Sequence, residues 1–425
     1  MPESSESPFP FDIITLIVDI IGENDDKDLL RDLSLVSHSF NQICLKYLFA
    51  SIHIDDGDSS SKVAFVNLLD RIPDAAKHIH KLTYSCNRTY RLSPSSWNYA
   101  NNLLLLESIQ HLPELLRTLS RLNSLKITST SEEFYWDDID SSISSSFLYL
   151  MHLPSINHID LSSIQEFPLC NFTTSPNLHR LDISFMKLFD YEPNPEEPEE
   201  FSPSEIIIQS SRSPSIHEFH SFFSTLFTTK LLYAIRHDGQ PAFDFSNLRV
   251  LYICLSDEWN VRHLLQLTTS LEELHLSHGP AQCLLTIHDI FSTSAVALKV
   301  LSFTVSSGLY GNHLNERLIG LCEGLEAMLV GNNVLETLSF EFHVDKQETE
   351  DSIGPELQSI ENVLVKPGWF ALRKVSFKIT FIQYETGPSL RLHKALSQTI
   401  PHKYLNQLSK LESVAFDYSF ILSEY

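Results

Sequence analysis

Histidine pairs are the residues whose spacing comes closest to a chemical site in this sequence. His217 and His220 form one His-x-x-His pair, and His275 and His278 form another. Two imidazoles at such a spacing can bind a divalent cation when further ligands complete the set. No third ligand stands at a recognisable spacing, and a chain with 19 histidines contains such pairs by chance. The pairs therefore do not predict a metal site.

The motifs of the common enzyme classes are absent from the sequence. It contains no Gly-x-Ser-x-Gly elbow, no phosphate-binding Walker loop, no His-Glu-x-x-His motif and no dinucleotide glycine fingerprint. Acidic pairs such as Asp137/Asp138 and Glu272/Glu273 have no recognisable catalytic partner. We expect a protein that is not an enzyme and uses no cofactor. An enzyme with an unrecognised site is the alternative.

The most informative element is an apolar helix between Pro10 and the expected helix end at Gly22. Its only polar residues, Asp12, Thr15 and Asp19, fall on one narrow stripe. A helix that is apolar over so wide an arc must be covered on more than one side. The N-terminal segment of about 45 residues buries too small a core to do this alone. The pattern predicts docking onto a partner protein, and a plain N-terminal cap of the following domain is the alternative.

Together with the next helix, this segment resembles an F-box of the kind found in fungal F-box proteins. Phe9-Pro10-x-Asp12-Ile13 is followed by Leu33-Ser34-Leu35-Val36-Ser37-x-x-Phe40 and by Ile43-Cys44. Phe9, Asp12 and Phe40 replace the usual leucine, glutamate and tryptophan but keep their size or polarity class. The resemblance covers residues 1–54 and implies docking onto the Skp-type adaptor of a cullin–RING ubiquitin ligase. The adaptor-binding residues that it implies are Pro10, Ile13, Ile14, Ile17, Ile21, Leu30, Leu33, Val36 and Phe40.

Composition limits the classes of partner and the compartment. The 425 residues carry 54 acidic against 30 basic side chains, a net charge of −24. This charge argues against binding to nucleic acid or anionic membranes. Six dispersed cysteines without a Cys-x-x-Cys pair are typical of reduced core residues in an intracellular protein. No basic signal peptide begins the sequence, and no apolar run reaches the ~18–20 residues of a membrane helix. We expect a soluble protein of the cytoplasm or nucleus.

A degenerate repeat dominates the sequence from residue 55 to residue 425. The pattern apolar-x-x-apolar-x-apolar, as in Leu122-x-x-Leu125-x-Ile127, returns roughly every 20–40 residues. Its period-two alternation predicts short strands, and helical patterns such as 353–365 and 390–408 lie between them. The sequence therefore predicts an α/β fold in which a short three-helix F-box precedes a leucine-rich-repeat-like solenoid.

The expected solenoid resembles the irregular leucine-rich repeats that often follow an F-box. The asparagine that usually follows each strand is mostly missing here. A doubly wound α/β domain is the alternative, but it needs glycine-rich turns at strand ends, and the chain has only 12 glycines.

Strand residues between the buried positions should form the face that binds a protein substrate. Since Glu341 and Lys378 occupy equivalent positions in successive repeats, we expect them to lie side by side. The substrate-binding residues expected on this face are Lys126, Asp160, Asp182, Tyr252, His275, Thr304, Glu341, Lys378 and Asp417.

The resemblance thus implies a substrate-binding subunit of a Skp–cullin–F-box ubiquitin ligase, with the ubiquitin chemistry supplied by its partners. A leucine-rich scaffold or adaptor protein that recruits no ligase is the alternative.

The acidic, proline-rich segment 190–204 interrupts the repeats, and its composition predicts an inserted loop that buries nothing.

Deleting residues 192–202 should therefore leave the melting temperature nearly unchanged, because no core contact is lost. Differential scanning calorimetry of the deleted and intact chains measures the effect. A melting temperature lower by many degrees would show that the segment packs against the repeats.

Overall fold

The structure is a computed structural model that describes most of the chain. The chain divides into two compact units, residues 1–201 with 208–214 and residues 202–207 with 215–425. Pro10 and the segment 190–204 lie outside the described residues. The described residues are 11–24, 26–87, 110–131, 134–186, 207–208, 212–254, 258–278, 297–306, 321–329, 333–345, 350–383 and 389–424.

Three helices open the first unit. They are α1 (Phe11–Glu23), α2 (Lys27–Ser34) and α3 (His38–Leu48). The side chains of Asp26 and Ser37 accept hydrogen bonds from the N–H groups of the first turns and so cap α2 and α3. One small core joins the three helices, and its buried members are Ile14, Val18, Leu30, Ile43 and Cys44.

Gly22 lies inside α1, which continues to Glu23, so the expected helix end at Gly22 was wrong. A Cβ atom at Gly22 would stand 2.4 Å from the aromatic ring of Tyr47 on α3. Only a residue without a side chain permits this approach. The glycine is therefore explained by the close packing of α1 against α3.

Strands and helices alternate in the rest of the first unit. The neighbouring parallel strands follow the order β1-β2-β3-β5-β7, and the short strands β4 and β6 pair with each other. β1 was not among the predicted strands, and the domain boundary expected after residue 54 falls within it. The elements are β1 (Ser51–Asp55), α4 (Ser59–Arg71), a 3-10 helix (Pro73–His78), β2 (Lys81–Cys86), α5 (Leu112–Leu116), β3 (Ser124–Ser129), β4 (Phe134–Tyr135), a 3-10 helix (Trp136–Asp138), α6 (Ser141–Met151), β5 (His158–Ser162), β6 (Ile164–Gln165), α7 (Cys170–Thr173) and β7 (Arg180–Ser184).

Two serine-rich runs, a composition typical of loops, stand at the starts of helices. Ser59 opens α4 and Ser141 opens α6. In each case the preceding aspartate, Asp58 or Asp140, accepts a hydrogen bond from the backbone N–H two residues later. The caps and the apolar residues further along each helix outweigh the low helix propensity of serine.

The second unit repeats the alternation with longer strands towards its C-terminal end. Its neighbouring parallel strands follow the order β9-β11-β12-β13-β14-β15-β16. After β8 (Ile207–Ile208), the elements are β9 (Glu218–Phe222), α8 (Thr225–Tyr233), β10 (Ile235–Arg236), β11 (Val250–Cys254), α9 (Glu258–Leu267), β12 (Glu273–His278), β13 (Val300–Ser306), α10 (Leu321–Leu329), β14 (Thr337–Asp345), α11 (Glu350–Leu364), β15 (Lys374–Gln383), α12 (Ser389–Tyr404), a 3-10 helix (Leu408–Lys410) and β16 (Ala415–Glu424).

The predicted α/β class is confirmed, and the repeat anchors align in register across the strands. Leu125 lies beside Ile159 in the first unit, and both are completely buried. In the second unit Phe303, Phe340 and Phe377 occupy one row. Their ring centroids are 5.6 and 4.9 Å apart along that row. Each anchor is thus buried largely by its counterparts on neighbouring strands.

β16 forms the last strand of the second unit and is bonded along one side only among the described strands. Its inward residues Phe416 and Tyr418 are half-buried. The residues beside them on β15, Val375 and Phe377, are buried. Val375 and Phe377 have a bonded strand on each side, whereas the described part of the chain bonds β16 on one side only. This accounts for their deeper burial.

A buried carboxylate connects α11 to the turn before β16. Glu361 is 1% exposed, and its Oε1 atom accepts hydrogen bonds from the N–H groups of Gln407 (2.6 Å) and Leu408 (3.0 Å). Its Oε2 atom accepts from the amide of Gln358 at 2.8 Å. The carboxylate thus occupies the position of a cap for the 3-10 helix at 408–410.

Replacing Glu361 by alanine should lower the free energy of unfolding by about 2–4 kcal/mol, because two backbone donors lose their acceptor. Glu361→Gln is the matched control: it keeps one acceptor oxygen and should lose less. Urea unfolding measures both values. A loss below about 1 kcal/mol in Glu361→Ala would show that the two backbone N–H groups find other acceptors.

Candidate docking surfaces

The N-terminal helices and the turn after α2 carry seven exposed large apolar side chains. Leu16 on α1 is 60% exposed, and Leu35 and Val36, which follow α2, are 83% and 66% exposed. Isolated exposed leucines are common, but seven exposed large apolar side chains on a segment of three helices make it a candidate interaction surface. We call this surface the helix patch, and its members are Ile13, Leu16, Ile17, Ile20, Leu29, Leu35 and Val36.

The structure divides the residues expected to contact an adaptor into three groups. Ile13, Ile17 and Val36 belong to the helix patch. Ile14 and Leu30 are each 1% exposed and form the core between the helices, so their side chains do not belong to the surface. The remaining described members are half-buried against that core: Ile21, Leu33 and Phe40.

Leu16, Ile20, Leu29 and Leu35 belong to the helix patch, although the sequence did not single them out. The sequence showed that α1 is apolar over a wide arc, which was the correct signal. It could not show which part of that arc α3 covers. The side of α1 that carries Ile14 and Val18 packs inward, and the side that carries Leu16 and Ile20 stays exposed.

Asp19, on the polar stripe of α1, contacts α3. Oδ1 of Asp19 accepts hydrogen bonds from Lys46 at 2.8 Å and from the hydroxyl of Tyr47 at 3.1 Å. The hydrogen bond from Lys46 lowers the pKa of Asp19 and raises the pKa of Lys46. The contact stabilises the folded helices above the unfolded-state pKa of aspartate and is lost as the pH falls through the lowered pKa. It fixes which side of α1 faces outward.

Ion pairs cross the strand face of the first unit. The ammonium group of Lys126 lies 2.7 Å from Asp160 on the next strand. Asp182, on the strand after that, accepts hydrogen bonds from Arg180 at 2.9 and 3.1 Å. The structure therefore places the expected face residues Lys126, Asp160 and Asp182 in one row, with their charges paired within the chain.

Ser124, His158 and Asp182, the residue types of a catalytic triad, are joined by hydrogen bonds on the strand face of the first unit. Oγ of Ser124 lies 2.9 Å from Nδ1 of His158, and Nε2 of His158 lies 3.0 Å from Asp182. A hydrolase also needs N–H donors for an oxyanion. The N–H groups of Ser124 and His158 instead donate to the carbonyl groups of His80 and Asn123. We interpret these hydrogen bonds as contacts that order the strand face.

Aromatic rings stack on the strand face of the second unit. The rings of Tyr252 and His275 lie 3.8 Å apart with planes within 2° of parallel. The ring of His220 follows on the other side of Tyr252, with a centroid separation of 4.1 Å. Burial lowers the pKa of His275, and neighbouring Glu273 opposes this shift. Burial therefore favours the neutral form of the His275 imidazole.

An ion pair lies further along the same face. Glu341 and Lys378 are direct neighbours on β14 and β15, as the repeat spacing predicted, and their charged atoms are 2.6 Å apart. Thr304 lies beside Glu341 on β13. Asp417, on β16, lies beside Ser376 and not beside Lys378.

The histidine pairs noted in the sequence lie in or next to strands. A spacing of three brings side chains together on a helix, but on a strand it directs them to opposite faces. Across the residues that the structure describes, no three potential metal ligands come together.

Comparison with known proteins finds no match, either among protein-family models or among curated proteins. In the part of the chain that the structure describes, every helix is too short or too polar to cross a membrane. The helix patch and the two strand faces are the candidate docking surfaces of the described residues.

Proposed function

We propose that this chain is the substrate-binding subunit of a Skp–cullin–F-box type ubiquitin ligase. The observation that carries the proposal is the helix patch on a three-helix N-terminal segment whose sequence resembles an F-box. In this role the patch docks onto the Skp-type adaptor, and a strand face binds the protein substrate. The chain contributes binding, and its partners in the cytoplasm or nucleus supply the ubiquitin chemistry.

The exposure of Ile13, Ile17 and Val36 supports the adaptor contact, because these residues belong both to the F-box resemblance and to the helix patch. Removing a large aliphatic side chain from water contributes roughly 1.5–3 kcal/mol. Several such side chains on one surface can hold a partner with useful affinity once the cost of association is met.

The strand order supports a leucine-rich-repeat solenoid as the finer description of the fold. In each unit every strand lies beside the next main strand of the chain, with no reversal of direction in the order. A doubly wound sheet instead begins in its middle and reverses order at a switch point. Successive units that each bury the apolar side of the next are the defining property of solenoids.

A scaffold protein that recruits no ligase is the competing function. It would share the repeats and the strand faces, and it would differ only at the helix patch. The adaptor contact is therefore the property that separates the two functions.

Ile17→Asp should abolish adaptor binding without unfolding the chain, because Ile17 is 40% exposed and a buried unpaired charge at the interface costs several kcal/mol. Pro10→Ala should weaken binding less. Pull-down with purified Skp-type adaptor measures both effects.

Phe370→Asp is the matched control, because Phe370 is 89% exposed and lies far along the chain from the helix patch. It should bind the adaptor like the unaltered protein. Undiminished adaptor binding by folded Ile17→Asp would exclude the helix patch as the contact and favour the scaffold function.

Exchanging the charges of Glu341 and Lys378 should reduce substrate capture but spare adaptor binding. The pair is partly exposed, so it contributes only ~0.2–1 kcal/mol to the fold, and the exchanged pair preserves the attraction. At an interface the same exchange creates like-charge contacts that cost several kcal/mol. Quantitative mass spectrometry of captured proteins compares Glu341→Lys/Lys378→Glu with the unaltered chain. An unchanged set of captured proteins would place the substrate elsewhere.

A further inference from the structure

The two strand faces differ in charge. The outward strand residues of the first unit include three cations, Lys81, Lys126 and Arg180, and three carboxylates, Asp55, Asp160 and Asp182, so they sum to zero. The described outward side chains of the second unit include four carboxylates, Glu218, Glu273, Glu341 and Asp417, against Lys374 and Lys378, so they sum to −2. The second face has the greater attraction for a cationic partner.

The second face also contains a row of short side chains beside the aromatic stack, which we call the floor. Next to His275 in register lies Ser302, followed by Ser339 and Ser376 on the next two strands. The hydroxyl of Ser376 donates to the hydroxyl of Ser339 at 2.8 Å. Three short side chains in a row leave room above the sheet. Since neighbouring strands are about 4.8 Å apart, this floor is roughly 10–15 Å wide.

The floor is bounded by groups of different chemistry. His275 ends the ring stack on one side, because Tyr252 covers one face of its imidazole and the short Ser302 lies next to the other. Glu273, 43% exposed, has its carboxylate 3.6 Å from Nε2 of His275. Two residues further along β14 and β15 lies the Glu341–Lys378 ion pair, and Asp417 on β16 ends the row opposite His275. A planar surface with a carboxylate beside it is complementary to a planar cation.

We propose that this floor binds an extended basic segment of the partner protein, with an arginine guanidinium stacked on His275 and paired with Glu273. The inference rests on the proposed function in that it gives the chemistry of the protein bound by the strand face. Arginine fits better than lysine, because a flat guanidinium can stack on the imidazole while its N–H groups bond the carboxylate side by side.

The test uses two labelled peptides of equal charge, hexa-arginine and hexa-lysine, titrated with the full chain at physiological salt. Fluorescence anisotropy measures both dissociation constants. Stacking predicts that hexa-arginine binds about three- to tenfold more tightly. Attraction to the net charge alone predicts equal binding, and that result would overturn the inference.

Two variants test whether the preference for hexa-arginine arises at the floor of the second unit. Ser302→Leu fills the floor beside His275 without removing the ring and should abolish the arginine preference. Thr83→Leu, at the equivalent row of the first unit beside His53 and Lys126, is the matched control and should keep it. Circular dichroism confirms folding, and His275→Gln replaces Ser302→Leu if that chain does not fold. A preference that survives the variant on the second face, or is lost in the control, would contradict the proposed site.

Adaptor binding by the unaltered chain separates this inference from the proposed function. Adaptor binding together with equal affinities of the unaltered chain for the two peptides would leave the ligase role standing and overturn the arginine site. An arginine preference that depends on Ser302 in a chain that does not bind the adaptor would keep the site and remove the ligase role.

Discussion

Burial of each strand's apolar residues by the adjacent strands is the constraint on which the rest of the structure depends. Strands of five or six residues, such as β5 and β7, carry only two or three inward side chains each. No single strand and helix can hide such a surface. Register between neighbours therefore matters more than any one contact, and the row of Phe303, Phe340 and Phe377 shows the result. The same constraint exposes a second row of side chains, in register, on the outward face.

The sequence predicted this register well because the repeat pattern is a property of spacing. Leu125 is the middle anchor of its repeat, and it lies beside Ile159, the middle anchor of the next repeat, Ile156-x-x-Ile159-x-Leu161. Glu341 and Lys378 could be paired in advance for the same reason. Predictions that needed knowledge of contacts between elements failed. Gly22 was interpreted as a helix end, and only the position of the Tyr47 ring shows why glycine stands there.

Local backbone conformation was also beyond the sequence pattern. Ser163 and Phe185, each directly after a strand of the first unit, have positive φ angles of 57° and 53°. Such angles are unfavourable for residues with a side chain and are usually assigned to glycine or asparagine. Nothing in the residue types predicts them. The turn after each strand imposes them, and the sheet must offset their cost.

The candidate surfaces show the same division between pattern and contact. The composition of α1 showed that this helix must be covered. Whether Ile14 or Leu16 enters the core depends on where α3 packs, which the composition does not show. On the strand faces, the nature of each outward residue followed from alternation. The separation into a neutral face and an acidic, aromatic one became visible only when neighbouring strands were aligned.

The half-covered residues of β16 have a consequence for local opening of the molecule. A strand with one bonded neighbour loses fewer contacts when it detaches than a strand with two. Because β15 holds the next row of buried residues, detachment of β16 also lowers the cost of opening β15. Amide hydrogens of the second unit should then exchange with solvent in a gradient, fastest at β16 and slower at each strand towards β11. Stability in this unit is therefore a graded property, set by the distance of a strand from its uncovered side.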